Sequence, residues 1–250
     1  MRHTILGLTV LAAAASAPAF AQTDAPSELT VSANTAVVTD YRFRGVSQTD
    51  KHFALQGGID VTHESGFYVG TWGSSVDDYV AAGSDQEIDL YLGYNHDFGG
   101  VALDVGVLYY WYPGSGGAKT DFVEPYASLS TTIGPVTGEI GIAYAPKQHA
   151  LAWNNDRDDN LYTYLDLEGA IPNSPIGVAA HLGYSKGRSF LTNGRKSYLD
   201  WSVGATYTWN NLVFGVSYVD TNFRRRDDLV SPGGRQLGKA GVVGSVGVSF

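Results

Sequence analysis

Cysteine is absent from this chain, and methionine occurs once in 250 residues. A secreted protein of this composition has no disulfide staples, so hydrogen bonding and packing must hold it together. Charge is scarce too. Lys, Arg, Asp and Glu make up 16% of the residues, yet 44% are hydrophobic, a balance that excludes an intrinsically disordered chain. No apolar run reaches the roughly 20 residues that a membrane-crossing helix needs. The charge that is present leans acidic, with a formal net of −9, which argues against nucleic acid as a partner.

The N-terminus reads as a secretory signal. Met1, Arg2 and His3 form a short basic start, Thr4 to Ala15 an apolar and small-residue run, and Ala19-Phe20-Ala21 an A-x-A site before Gln22. Cleavage there divides the chain into a signal at 1–21 and a mature domain at 22–250. It removes Arg2 and no acid, so the formal charge moves from 16 − 25 = −9 to 15 − 25 = −10.

What the chain has in abundance is glycine, 31 residues, and tyrosine, 16 residues, set in a period-two pattern. Val31, Ala33, Thr35, Val37, Thr39, Tyr41 and Phe43 alternate with Ser32, Asn34, Ala36, Val38, Asp40, Arg42 and Arg44. Ile88, Leu90 and Leu92 alternate with Glu87, Asp89 and Tyr91, and Val105, Val107, Tyr109 and Trp111 with Asp104, Gly106, Tyr110 and Tyr112. Period two is the mark of a strand with one apolar and one polar face. The pattern predicts twelve strands, at 29–46, 53–63, 66–76, 86–98, 101–112, 121–133, 136–146, 160–171, 176–186, 197–209, 212–221 and 239–250.

Connections between these strands alternate strictly in length. Tight turns at Glu64-Ser65, Gly99-Gly100, Gly134-Pro135, Asn173-Ser174-Pro175 and Asn210-Asn211 separate long polar loops at 47–52, 77–85, 113–120, 147–159, 187–196 and 222–238. In an up-and-down sheet that sorting puts every short turn at one end and every long loop at the other. This is the layout of a transmembrane antiparallel β-barrel, with short periplasmic turns and long extracellular loops. Closure pairs every edge strand, as a backbone exposed to lipid requires. A soluble β-sandwich also alternates apolar and polar positions, but its connections need not sort by length, its apolar face would fill a core, and the carboxylates carried along almost every strand would have to lie on its outside.

Inward parity assigns Asp40, Asp60, Glu87, Asp89, Asp104, Glu124, Glu139, Asp166, Glu168 and Asp200 to the lumen, with Gln56 and the tyrosines Tyr110, Tyr112, Tyr126, Tyr162 and Tyr164. Arg42, Arg44 and Lys239 stand against them. Rings of carboxylates favour cations. Tyr41, Phe43, Tyr109, Trp111, Tyr207 and Trp209 have outward parity near strand ends, where an interfacial girdle of aromatics is expected. The last residues, VVGSVGVSF, place Phe250 on the same outward face, as a C-terminal insertion signal for the barrel-assembly machinery. Pairing the first two strands about the loop at 47–52 sets Arg44 opposite Gln56, Arg42 opposite Gly58 and Asp40 opposite Asp60.

The segment VVTDYRFRGVSQTDKHFALQGGIDVTHESGFYVGTW, residues 37–72, resembles the opening of the TorF-type porin family of Gram-negative bacteria, conserved hypothetical outer-membrane proteins. The resemblance implies a β-barrel in the outer membrane, among lipid and lipopolysaccharide; it carries no substrate and no binding set. Twelve strands lie between the filled eight-stranded barrel and the wide sixteen-stranded channel, so a narrow pore for small hydrophilic solutes is expected.

Other constellations stay weaker. GSGGAKT at 114–120 lacks the glycine before Lys119 and the strand-to-helix setting of a phosphate loop, and HES at 63–65 lacks the second histidine of a zinc motif. NNDRDDN at 154–160 offers oxygen ligands at alternate positions for calcium, or is a solvated loop, and Arg224-Arg225-Arg226 would meet lipid phosphates or water. No cofactor or metal is implied. An outer-membrane lipase or protease would need a nucleophile joined to a histidine, and His52, His63, His96, His149 and His181 are scattered along the chain. A non-conducting structural barrel or adhesin is the third reading. Of the long loops, 222–238 is the expected plug or gate.

Overall fold

The structure is a computed structural model describing residues 28–224 and 229–250. The signal segment at 1–21 and Arg225, Arg226, Asp227 and Asp228 of the charged run lie outside the described residues.

Apolar-polar alternation along each strand closes into a wall. In chain order the strands are β1 (Leu29–Val38), the short pair β2 (Arg42–Phe43) and β3 (Val46–Ser47), β4 (Ala54–His63), β5 (Phe67–Ser75), β6 (Gln86–Asp97), β7 (Val101–Trp111), β8 (Phe122–Ile133), β9 (Val136–Gln148), β10 (Asp158–Ala170), β11 (Ile176–Lys186), β12 (Ser197–Trp209), β13 (Leu212–Thr221) and β14 (Gly241–Ser249). All but β2 and β3 form one closed, antiparallel, twelve-stranded barrel in which sequence neighbours pair and β14 returns to β1. Twelve strands were expected, and eleven of them lie within about two residues of the anticipated bounds. Among the described residues helix is confined to two single 3-10 turns, His149–Leu151 and Phe190–Thr192, and none is long and apolar enough to cross a membrane.

Polarity runs opposite to that of a soluble protein. Leu90 and Leu92 on β6, and Val105, Val107 and Tyr109 on β7, are exposed outside, while Glu87, Asp89, Asp104 and Tyr110 between them are buried inside. A soluble sandwich would bury the first set, so the closed wall rules that alternative out. The buried apolar side chains gather inside the barrel toward the long-loop end. Val38, Leu108 and Phe122 from the wall meet Val76, Val80 and Ala81 from the loop after β5 and Leu151 from the first 3-10 turn.

One strand departs from expectation. β1 ends at Val38 rather than continuing to residue 46. Thr39 still bonds β14, its N–H donating to the Gly244 carbonyl at 2.9 Å and its Oγ1 accepting from the Gly244 N–H at 2.9 Å. The chain then leaves the wall and folds into the lumen as a hairpin, with Arg42 opposite Ser47 and Phe43 opposite Val46. Its two-residue loop is Arg44 (φ 48°) and Gly45 (φ 79°). Two successive positive φ values are the type I′ pattern, which matches the twist of the flanking strands. Only glycine fits second, because a Cβ at Gly45 would lie 2.5 Å from Thr221 Cγ2 and 2.8 Å from Asp200 Cβ. The wall register shifts accordingly. Gln56 faces Ala36, Gly58 faces Asn34 and Asp60 faces Ser32, not Arg44, Arg42 and Asp40.

Candidate functional site

The hairpin at 41–48 crosses the barrel from β1 to the far wall and is pinned at every turn of its course. At its base Arg42 donates from Nε to Asp40 Oδ2 at 2.6 Å and from Nη1 to the carbonyls of Gly45, Leu237 and Lys239. Asp40 Oδ1 accepts from Ser47 Oγ at 2.5 Å. At the tip, Arg44 Nη2 donates to Glu124 Oε2 on β8 at 2.7 Å, and Nη1 to Asn160 on β10 at 3.2 Å. The guanidinium lies 4.1 Å from the centre of the Tyr162 ring, and Tyr198 on β12 donates its O–H to the Arg44 carbonyl. Such a buried, hydrogen-bonded ion pair is held by geometry rather than by loose charge attraction.

Two expected interface aromatics therefore belong elsewhere. Tyr41 is 2% exposed, packs edge-on to Trp72 and donates to Glu87 Oε1 at 2.5 Å. Phe43 packs edge-on to Tyr110 at 5.8 Å. Both face the barrel interior, because strand parity stops applying once the chain leaves the wall. Tyr109, Trp111, Tyr207 and Trp209 are 39%, 41%, 48% and 57% exposed on the outer face. Phe250 is 71% exposed, and its N–H and carbonyl bond Ala33 at 2.8 and 3.2 Å, extending the join of β14 to β1.

The inner wall is a set of acid-tyrosine pairs. Tyr112 joins Tyr41 on Glu87, Tyr110 donates to Glu124, Tyr91 to Asp60, Tyr68 to Asp104, Tyr164 to Glu139 and Tyr162 to Asp200. Tyr126 is bonded to Tyr68 hydroxyl to hydroxyl. Glycines make room for four of these rings. Tyr91 lies across from Gly70, Tyr68 from Gly93, Tyr126 from Gly106 and Tyr164 from Gly141, and a Cβ at each glycine would strike the ring it faces. A tyrosine laid flat over a cross-strand glycine stiffens the wall and turns its hydroxyl toward a neighbouring carboxylate. His181 on β11 sits between two acids, with Nδ1 2.6 Å from Asp166 and Nε2 3.1 Å from Asp200. No serine or threonine hydroxyl bonds it among the described residues.

Of the acids expected to line the lumen, Glu87, Asp89, Asp104, Glu124, Glu139 and Asp200 are buried within it, as is Gln56. Asp60 and Asp166 are half-buried, and Glu168 is exposed toward the short-turn end. The inward-folding segment is 39–50. The described part of loop 222–238, the expected plug, packs on that segment: Phe223 and Leu237 are buried, and the Leu237 carbonyl accepts from Arg42 Nη1 and from the Ser47 N–H.

The mouth also gathers Asp50, His52 and Asp77, the one group among the described residues whose possible metal-ligand atoms lie within 4.8 Å of one another. Arg235 already occupies it, its Nη1 donating to Asp50 Oδ2 at 2.8 Å and to His52 Nε2 at 2.9 Å. Burial and then the neighbouring Arg42 charge hold the Lys51 amine below its usual range. Burial pushes the Tyr79 hydroxyl up to about 12; it donates to the Ser47 carbonyl at 2.9 Å and so ties the hairpin to the loop after β5. In the 154–160 loop, Asp158 is taken by the Trp153 N–H and by Asn155.

The fold is shared with solved membrane barrels. The NanC porin, in its rhombohedral crystal form, superposes with a TM-score of 0.58 at 12% identity over 88% of this chain and 99% of that one. A protein solved in work on the mechanism of in-meso crystallisation of membrane proteins superposes at 0.54 with 10% identity, over 88% and 83%. None of the curated proteins matches. A family model described as a bacterial protein of unknown function, Gcw_chp, does match, over residues 22–250, and it carries neither the TorF name nor an activity. That match spans the whole barrel, and the chain is a member of the Gcw_chp family.

Proposed function

We propose that this protein is an outer-membrane porin, a narrow channel for small hydrophilic solutes whose lumen is set by the inserted hairpin. The observation that carries the reading is the closed wall with apolar side chains outside and a carboxylate-tyrosine interior crossed by an ion-paired segment. The likeness of residues 37–72 to TorF-type porins supports it. In this reading residues 1–21 are removed on export, the barrel sits among lipid and lipopolysaccharide, and Phe250 is read by the insertion machinery. Tyr109, Trp111, Tyr207 and Trp209 form its interfacial aromatics.

The lumen prefers cations. Asp40 is paired with Arg42, Glu124 with Arg44, and Asp166 and Asp200 with His181. Of the ten inward acids, Asp60, Glu87, Asp89, Asp104, Glu139 and Glu168 make no ion pair among the described residues, so acidity exceeds its local compensation. Purified, refolded protein in planar bilayers tests this: stepwise conductance and a cation-favouring reversal potential in a salt gradient are expected. Folded protein that never conducts would refute the channel. Replacing Asp60, Glu87 and Asp89 by Lys should reverse the selectivity, and an unchanged reversal potential would discard the acidic-lumen claim.

A further inference from the structure

Below the hairpin the lumen keeps a cavity of about 40 Å³. Arg42 and Gly45 of the inserted segment bound one side, and Gln56, His181, Asp200 and Ser202 the wall. Eight buried side-chain atoms among the described residues lack a hydrogen-bond partner, and four of them belong to residues of this one cavity: Arg42 Nη2, Gln56 Oε1, Asp200 Oδ2 and Ser202 Oγ. These residues are 9%, 3%, 1% and 2% exposed, so bulk water does not reach them freely. Unpaired buried polar atoms are destabilising, and buried polar groups are nearly always satisfied by protein, water or ligand. Four orphans around one space define an occupant that pairs them.

The chemistry of the orphans limits what that occupant is. They offer a donor in Arg42, two acceptor oxygens in Gln56 and Asp200, and a hydroxyl in Ser202 that does both. The charges are already answered, Arg42 by Asp40 and Asp200 by His181. An added cation would face Arg42 and Arg44, and an added anion Asp40 and Asp200. A neutral group with donors and acceptors on the same atoms suits the set, and that is a hydroxyl. The volume corresponds to roughly three water-sized positions.

We propose that this cavity is a hydroxyl-binding subsite on the solute path, taking a small neutral polyol or the diol edge of a larger one. The inference rests on the channel reading and narrows its solute class to uncharged hydroxylated compounds.

Glycerol is the probe, with acetate, methylammonium and glycine as charged and zwitterionic comparators, read by saturation-transfer NMR on refolded full-length protein. Saturable glycerol binding in preference to all three is expected. Ser202→Ala and Gln56→Leu should each weaken it by roughly three- to tenfold, the size of one hydrogen bond. Ser128→Ala, lumen-facing but outside the cavity, should leave it unchanged. Circular dichroism and gel mobility with and without heating confirm that each variant is folded. Absence of saturable glycerol binding to the unmodified protein, preference for any comparator, or indifference of both folded variants overturns the proposal. Bilayer recordings on the same preparations separate the two claims. Conductance without glycerol binding removes only the subsite, whereas binding without conductance removes the channel and with it the solute path, leaving a hydroxyl-binding cavity alone.

Discussion

Arg44→Ala should release the inserted hairpin from the barrel wall. In the native lumen Arg44 holds Glu124 at 2.7 Å and Asn160 at 3.2 Å and covers the Tyr162 ring at 4.1 Å. Removing one partner of a buried ion pair costs about 3–5 kcal/mol, because the other charge is left buried and unpaired. Losing a desolvated cation-π contact adds about 1–2 kcal/mol. Glu124 keeps its bond from Tyr110, which offsets about as much as the lost cation-π contact adds, so about 3 kcal/mol is the working figure. This penalty falls on the state with the hairpin inserted; once the hairpin leaves, water reaches Glu124. At about 1.4 kcal/mol per factor of ten, the ratio of inserted to withdrawn hairpin drops roughly a hundredfold. Single-channel recordings should show a corresponding rise in open time or in the largest conductance level. The double variant Arg44→Met with Glu124→Leu removes both charges and should restore the closed behaviour, since an apolar pair of similar volume is often neutral or better. A folded Arg44→Ala barrel with native conductance statistics would refute the idea that this ion pair sets the lumen.

Three further outcomes follow from the same geometry. Gly45→Ala combines a positive φ with contacts at 2.5 and 2.8 Å, and should destabilise the inserted hairpin by about 1–3 kcal/mol, seen as increased conductance with little change in the urea midpoint of the barrel. Gly141→Ala drives a methyl into the Tyr164 ring and should destabilise the barrel by about 1–3 kcal/mol, the usual range for overpacking, read as a lower urea midpoint, with Gly138→Ala as the milder comparison because its nearest neighbour is at 3.4 Å. The absence of native cysteine permits clean single-site labelling: Ser47→Cys, fully buried, should react with a water-soluble maleimide far more slowly than Lys119→Cys in the long loop after β7, and equal rates would show that the hairpin is not inserted.

How much of this was legible in the sequence depended on whether the wall rule applied. Period two and the sorting of turns by length gave the strand number and closure, because both follow from a sheet that must be apolar outside and have no edge. The stretch Tyr41-Arg42-Phe43-Arg44 defeated the same rule. A hairpin arm is itself period two, so alternation continued unbroken while the chain had already turned inward. The readable clue was Arg44-Gly45, a two-residue loop ending in glycine, but a leading Arg in the left-handed region is far less usual than Asn or Asp there. Length is a poor guide as well: 222–238 is the longest connection, yet the segment that forms its own hairpin inside the lumen is the short stretch at 41–48. The Gly-Tyr pairs required the cross-strand register, which no single strand encodes.

The seam of the barrel bears on how it is made. β1 meets β4 over ten residue pairs but meets β14 over five, Asn34–Val38 against Ser245–Ser249. The ends of that short join are about 200 residues apart in the chain, so its closure entropy is the largest in the molecule, whereas every other wall pair is a local hairpin. The 41–48 turn is more local still and hangs from the very strand that must accept β14. Assembly is thus expected to form the 41–48 hairpin early and to zip the cylinder around it last, with Phe250 and Ala33 as the final stitch. The inserted hairpin is in place before the wall around it is closed.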